Sequence, residues 1–598
     1  MSSSLAILSS INFPCNHHRA HTQIFITMAD SVPPTHPFTH PSADIVFCSS
    51  DGVLFKVHKL VLSLASEFFA DMFALPQPAA PSLTGFRTES IESGKGPTEL
   101  EGLPVVHVSE PGTVLEDLFR LVYPFADPSL VKLDRVRSVF EAALKYQMHE
   151  AIAITTRRLL DLAPTEPLRV YAIACLHSLT DVMTAAARAV YDQELMDKYV
   201  DELEEIPVSA YRRLLSYCGP LQAKGKRKKP NGPFPASLDL EYSDLSSVTP
   251  PKKPTNASDA YDSVFLSDVV DFGSMASDTP EVIVRTCDER DIKFSADMLR
   301  VFSPVLAASL SITSSRSLET PRVITVPEPC DIMRPLLAMY HPLALPPALD
   351  APALVSALVA AEKYLMKKAV WLLRDALSKL EADPSVDVVW LYFVACRFGM
   401  RSLAHAAARR CLRLQDLATS SFANVDFPGV SAGTFWRLLD YQRRCRTAIR
   451  SMLDADPTTW MSEEWQQKAN CCGRNYKHGT APNACWLHAY LFCMRRKAWP
   501  SSADARCESA FTDSILSVSC SYCGGGRGMA TLFSFARYVE ETLEARENEV
   551  VLEWRDVAER KREREMAFRS GASTEHESLR RGHGGSANTW PQIPQSDK

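Results

Sequence analysis

No run of about 18 apolar residues occurs in the 598-residue chain, so the sequence offers no membrane-spanning helix. A tight framework of cysteines is missing as well. The 16 cysteines are scattered, which argues for free thiols in a reducing, intracellular compartment and against a secreted disulfide scaffold. Charge of one sign is not in large excess either. A net charge of −6 over this length gives no reason to expect nucleic acid as the main partner. No Gly-x-x-x-x-Gly-Lys-Ser/Thr phosphate loop is present, because Lys224-Gly225-Lys226-Arg227 has neither the spacing nor the hydroxyl that would hold magnesium. The short apolar run Leu5-Ala6-Ile7-Leu8 has no Lys or Arg before it, so no signal peptide is expected, and Met28 offers an alternative start to Met1. What remains, 46% hydrophobic and 23% charged residues, is the composition of an ordinary globular protein with room for about four domains.

The chain then repeats itself. Asp44-Ile45-Val46-Phe47 returns as Glu281-Val282-Ile283-Val284, and Ser66 as Ser303. Val106-His107-Val108 falls on Ile324-Thr325-Val326, and Lys145-Tyr146-Gln147-Met148 on Lys363-Tyr364-Leu365-Met366. Tyr171 and Cys175 meet Tyr392 and Cys396. Ala185-Ala186-Ala187-Arg188 meets Ala406-Ala407-Ala408-Arg409, and Leu214-Leu215 meets Leu438-Leu439. A register held for more than a hundred residues is a duplicated domain, not a solenoid unit of about 20–50 residues.

Within the first copy Ile45–Cys48 is a short apolar strand, and Asp51-Gly52 is a hairpin turn. Phe55 and Val57 alternate with Lys56 and His58 at strand period. From Leu60 the apolar spacing becomes helical, with Ser66 placed as a cap between two short helices; Ser303-Pro304 repeats that cap with Pro at the first helical position. Residues 76–102 read as a Pro/Ser/Gly/Thr loop, Val105–Val108 as strand, and 129–218 as helices.

The run Asp44-Ile45-Val46-Phe47, Asp51-Gly52, Phe55-x-Val57-His58-Lys59, Leu62, Ser66-x-Phe68-Phe69 and Met72-Phe73 resembles the BTB/POZ domain. With Leu75-Pro76, Leu103-Pro104 and Tyr123-Pro124 it is similar to the BTB proteins of basidiomycete fungi in particular. The resemblance covers 41–220, and the internal repeat extends it to 279–445. It implies an interaction module whose domains pair through the first helix and strand, some of which recruit a cullin-type ubiquitin-ligase scaffold or transcriptional corepressors. The family's polar positions fall on Asp44, His58 and Lys59, which become Glu281, Ser295 and Ala296 in the second copy. The expected partner interface is therefore Asp44, His58, Lys59, Leu62, Phe68 and Phe69 of the first copy, with the second kept for packing.

Three further patterns carry chemistry on paper. Gly429-Val430-Ser431-Ala432-Gly433 has the form of a nucleophile elbow, but no convincing strand precedes it, and a loop with a helix cap is the alternative. Cys485-x-x-His488 and Cys520-x-x-Cys523 have the ligand types for a structural zinc, weighed against packed free thiols on a helix. The run Lys224 to Lys229 is a nuclear-import candidate or a solvated spacer.

The expected architecture is α+β: tandem BTB/POZ folds, each a small sheet with helices and a helical extension, followed by a mainly helical Cys-rich segment. The divisions are a disordered 1–40, a first domain at 41–220, a basic, Pro-rich linker at 221–260 and a second, divergent domain at 261–445. A Cys-rich helical segment at 446–535, a charged docking helix at 536–569 and a disordered tail at 570–598 complete it. The expected function is non-enzymatic protein association, homo- or hetero-, with the two copies packing as a pseudo-dimer, no catalytic residues, no cofactor, a structural zinc being the lesser alternative to packed thiols, and no membrane. The alternatives are a ubiquitin-ligase substrate adaptor and a zinc-binding transcriptional regulator, in the cytoplasm or nucleus.

Overall fold

The computed structural model describes residues 36–75, 99–100, 102–218, 269–271, 281–312, 322–341, 349–414, 417, 429–469, 486–497, 501–506 and 526–554. The chain divides into two compact units, Met1–Thr155 and Thr156–Lys598. Composition places a boundary in the 221–260 linker, but the compact units divide inside a helix. Within the second unit the helices of residues 167–218 associate with the helix Ala432–Asp454, as described below.

In the first unit β1 (Ile45–Cys48) and β2 (Leu54–Val57) form the hairpin, Ile45 pairing with Val57 and Cys48 with Leu54. Gly52 makes the turn at φ 83°, which a side chain would strain. Two short helices follow, α1 (Lys59–Ala65) and α2 (Glu67–Ala74). The chain breaks between them because Ser66 is extended and caps α2: its Oγ accepts from Phe69 N at 3.1 Å and donates to Tyr146 O at 2.5 Å. After β3 (Glu99–Leu100), β4 (Leu103–His107) lies parallel to β1, giving the order β2-β1-β4-β3. α3 (Gly112–Arg120), α4 (Leu133–Lys145) and α5 (His149–Leu162) follow. The core is aromatic: Phe47 meets Phe69 and Phe119 edge-on, and Phe69 stacks on Tyr146.

The expected disorder through residue 40 stops short. Phe38 is buried against Phe119, Tyr123 and Phe125, and its carbonyl accepts from Lys56 N at 3.0 Å. Polar and Pro-rich neighbours hide this anchor in the sequence, yet one buried phenyl ring contributes about 1.5–3 kcal/mol. Residues 1–35 lie outside the described residues.

The second unit begins with α6 (Pro167–Leu176), α7 (Thr180–Asp192) and, after 3-10 turns at Leu195–Asp197 and Asp201–Glu204, α8 (Val208–Cys218). It continues with β5 (Val269–Asp271), β6 (Glu281–Arg285), β7 (Asp291–Ser295), α9 (Ala296–Phe302), α10 (Pro304–Ile312), β8 (Arg322–Thr325) and α11 (Cys330–Ala338). β6 and β7 pair as a hairpin and β8 lies parallel to β6, repeating the relation of β1, β2 and β4. The edge strands differ: β3 flanks β4 in the first sheet, whereas β5, unforeseen in the sequence, flanks β7 in the order β5-β7-β6-β8. α12 (Ala351–Lys363), α13 (Lys367–Lys379), α14 (Val388–Arg397), α15 (Arg401–Cys411) and α16 (Ala432–Asp454) come next.

Beyond α16 lie α17 (Glu463–Ala469), α18 (Trp486–Arg496) and, the final helix among the described residues, Gly526–Glu549. The final helix is not the expected 536–569 segment. It starts within the glycine-rich stretch and is over before Val551. Leu532, Phe535, Ala536, Val539 and Leu543, at helical spacing, are buried with Ile449, Leu453, Leu487 and Tyr490, and this packing outweighs the poor helix propensity of glycine. The helix is thus docked in the chain's own core. Residues 555–598 lie outside the described residues, and among those described no helix is long and apolar enough to cross a membrane.

Candidate protein-interaction surface

The hairpin and first helices are tied down by a small polar set. Asp51 Oδ1 accepts from Ser49 Oγ at 2.5 Å and from Gly112 N at 2.9 Å, so the turn carboxylate serves the first amide of α3, which its Pro111 cap cannot. Glu110 accepts from Lys145 Nζ and Tyr146 Oη, both at 2.5 Å. Burial alone would raise the Glu110 carboxyl, but the hydrogen bonds from Lys145 and Tyr146 outweigh it and hold the group below its ordinary range. Burial and the bond to Glu110 push the Tyr146 phenol up.

The second unit repeats each contact at the matching place. Asp288 accepts from Thr286 Oγ1 at 2.5 Å and from Cys330 N at 3.1 Å. Glu328 accepts from Lys363 Nζ at 2.6 Å and from Tyr364 Oη. Ser303 Oγ accepts from Leu306 N at 3.2 Å and donates to Tyr364 O at 2.7 Å. Asp51/Asp288 and Glu110-Pro111/Glu328-Pro329 stand at matching places in the repeat, and the structure gives each pair the same kind of partners.

The expected interface residues separate into two groups. Leu62 and Phe69 are fully buried and hold α1 and α2 to the sheet, so they do not face outward. Asp44 is exposed, yet its Oδ1 accepts from Lys59 N at 2.7 Å and caps α1. His58 is half-buried; its backbone N donates to Tyr123 Oη at 2.7 Å, and its ring lies 2.8 Å from Ser42 Oγ through Nε2. In the second unit Glu281, Ser295 and Ala296 stand at these positions, and Ser295 makes no side-chain cap to α9. Phe68, also expected at the interface, is 38% exposed at the start of α2; sequence reading missed Leu60, 70% exposed, and Leu64, 81%, which stand four residues apart on α1.

Residues 38–91 match the family model of the BTB/POZ domain, spanning β1, β2, α1 and α2. The chain carries a BTB/POZ domain. No curated protein matches the chain. BTB/POZ domains are protein-interaction modules, not enzymes, and the exposed ridge of Leu60, Leu64 and Phe68 lies within the matched BTB segment.

Outside the matched BTB segment, Ser431 is a helix cap. Its Oγ accepts from Thr434 N at 3.3 Å and donates to Glu204 Oε2 at 2.5 Å. Gly433 is needed for a different reason than an elbow: a Cβ there would collide with the Glu204 carboxylate, which pairs with Arg437, both side chains buried. Of the zinc candidates, Cys485, Cys520 and Cys523 and the side chain of His488 lie outside the described residues, as does the basic run Lys224 to Lys229.

The helices around this ion pair face each other in matched register. Pro207 and Ser431 stand the same number of residues before Leu214 and Leu438, and they form an antiparallel bridge; Ala432 N donates to Ile206 O at 2.9 Å. Tyr211 and Phe435, again matched, meet edge-on at 6.5 Å. The ion pair is one-sided: Arg213 stands as far before Leu214 as Arg437 before Leu438, but Pro428 stands at the place that corresponds to Glu204.

Proposed function

We propose that this is a non-enzymatic interaction protein that self-associates through the α1 ridge of its BTB/POZ domain, with a divergent second BTB copy as an internal companion. The exposed row of Leu60, Leu64 and Phe68 is the observation that carries this reading. Charge placement supports a second copy of the chain as the occupant. Half-buried Lys59 opens α1, and exposed Glu67 and Asp71 lie in α2, so two chains meeting about a twofold axis set Lys59 of each near the carboxylates of the other.

The shared hairpin and parallel strand, together with the repeated Ser, Asp and Glu contacts, support the reading of 281–338 as a BTB copy. Its α9 carries Asp297 where α1 has Leu60, and Asp297 pairs with Arg300 at 2.7 Å, which suits it poorly to the same association. The contacts between matched positions of α8 and α16 support a pseudo-dimer formed by the helical extensions of the two copies. The ubiquitin-ligase and zinc-regulator readings gain no specific support among the described residues.

The test is co-purification of two differently tagged full-length chains. Wild type captures wild type, and the Leu60→Asp/Leu64→Asp variant captures neither itself nor wild type. Undiminished capture by the variant contradicts the proposal.

A further inference from the structure

Helix α15 carries a row of basic groups, two of which have no acidic partner among the described residues. Arg401, His405 and Arg409 recur at every fourth residue, and Arg413 follows just past the helix end. Arg401, Arg409 and Arg413 are exposed and His405 is half-buried. Among the described residues Arg401 and Arg409 form no ion pair or hydrogen bond, whereas nearby arginines are engaged. Arg410 donates to Glu381 O, Arg446 to Leu414 O and Arg450 to Arg495 O, while Arg443 and Arg444 both meet Asp440. Arg413 alone of the row lies within electrostatic reach of a carboxylate, Glu547.

The row works against its own helix. Like charges four residues apart oppose helix formation, and Arg401 stands at the N-terminal end, where the dipole disfavours a cation. α15 has no acidic residue in its first turn to compensate. The matched helix α7 supplies an internal control. Counting from the shared Ala-Ala-Ala-Arg, it has Thr180, Thr184, Arg188 and Asp192 at the same places, and Asp181 in its first turn. The second copy has thus gained cations where the first has neutral and mixed groups. Burial and the unneutralised field of Arg401 and Arg409 together hold His405 below its ordinary pKa.

We propose that this row is a docking strip for an acidic peptide segment of a partner protein, with carboxylates spaced to meet Arg401, His405 and Arg409. The row is one residue wide and about 12 Å long from Arg401 to Arg409. A single file of this length neutralises too few phosphates to hold a nucleic-acid polyanion. A short acidic segment fits both the width and the charge.

The test is fluorescence anisotropy on the full chain, using as probe a fluorescein-labelled helical peptide with Glu at every fourth position and Ala between. Wild type binds it, and binding weakens as salt is raised. Arg401→Ala/Arg409→Ala weakens it about tenfold, as expected for two exposed charge pairs. A control, Arg158→Ala/Arg300→Ala, binds as wild type does, and Arg401→Glu/Arg409→Glu prefers the matching Lys peptide. Circular dichroism establishes that each variant is folded. No binding by wild type, equal loss in the control, or stronger displacement by a single-stranded DNA oligonucleotide than by unlabelled peptide each overturns the proposal.

Discussion

Ser66 does two jobs with one hydroxyl, accepting from Phe69 N and donating to Tyr146 O. The first was readable, because a Ser between two helical patterns is a capping signal. The second was not, because Tyr146 is remote in sequence. Ser66→Ala should therefore cost more than a cap alone: about 1 kcal/mol for the cap and a further 1–3 kcal/mol for the buried carbonyl left without its donor. Hydrogen exchange of the α2 amides checks this, and Ser303→Ala should act likewise on α10. Glu110 gives a pH dependence. Its folded pKa lies below the ordinary 4.5, so its stabilising contribution is complete above that value and is lost as pH falls through the lower folded value. Acid unfolding of the wild type, followed by the fluorescence of the first unit's tyrosines, should steepen below pH 4.5, and Glu110→Gln should flatten that part of the curve.

Elements were more legible than their partners. The hairpin, the α1–α2 break and the long helical extensions all follow from period and punctuation in the sequence. β5 did not, being three residues at an edge, and the final helix was displaced because its glycines masked an apolar stripe that only tertiary packing rewards. The pairing of α8 with α16 was invisible for the same reason as the Tyr146 contact: Glu204 and Arg437 are far apart in the chain. Breaking this buried pair leaves one charge without its partner, at a cost of about 3–5 kcal/mol. Glu204→Gln should thus raise hydrogen exchange in α8 and α16 together while sparing α9 to α11, and Gly433→Ala should do the same by steric displacement. Exchange rising in only one of the two helices would contradict the matched packing.

For the molecule as a whole, the internal repeat led to the expectation of a duplicated fold, and the proposed association rests on the BTB/POZ segment alone. Leu62 and Phe69, chosen as interface from the motif, turn inward, and Leu60 and Leu64, passed over because they are merely apolar, turn outward. A sequence motif marks what a fold must keep, and much of that is core. The central claim is that the α1 ridge joins two chains. Light scattering on the purified full-length protein tests it most directly. The expected mass is about twice 66.4 kDa for wild type and 66.4 kDa for Leu60→Asp/Leu64→Asp. A wild type of 66.4 kDa, or a variant that keeps the doubled mass, would contradict it.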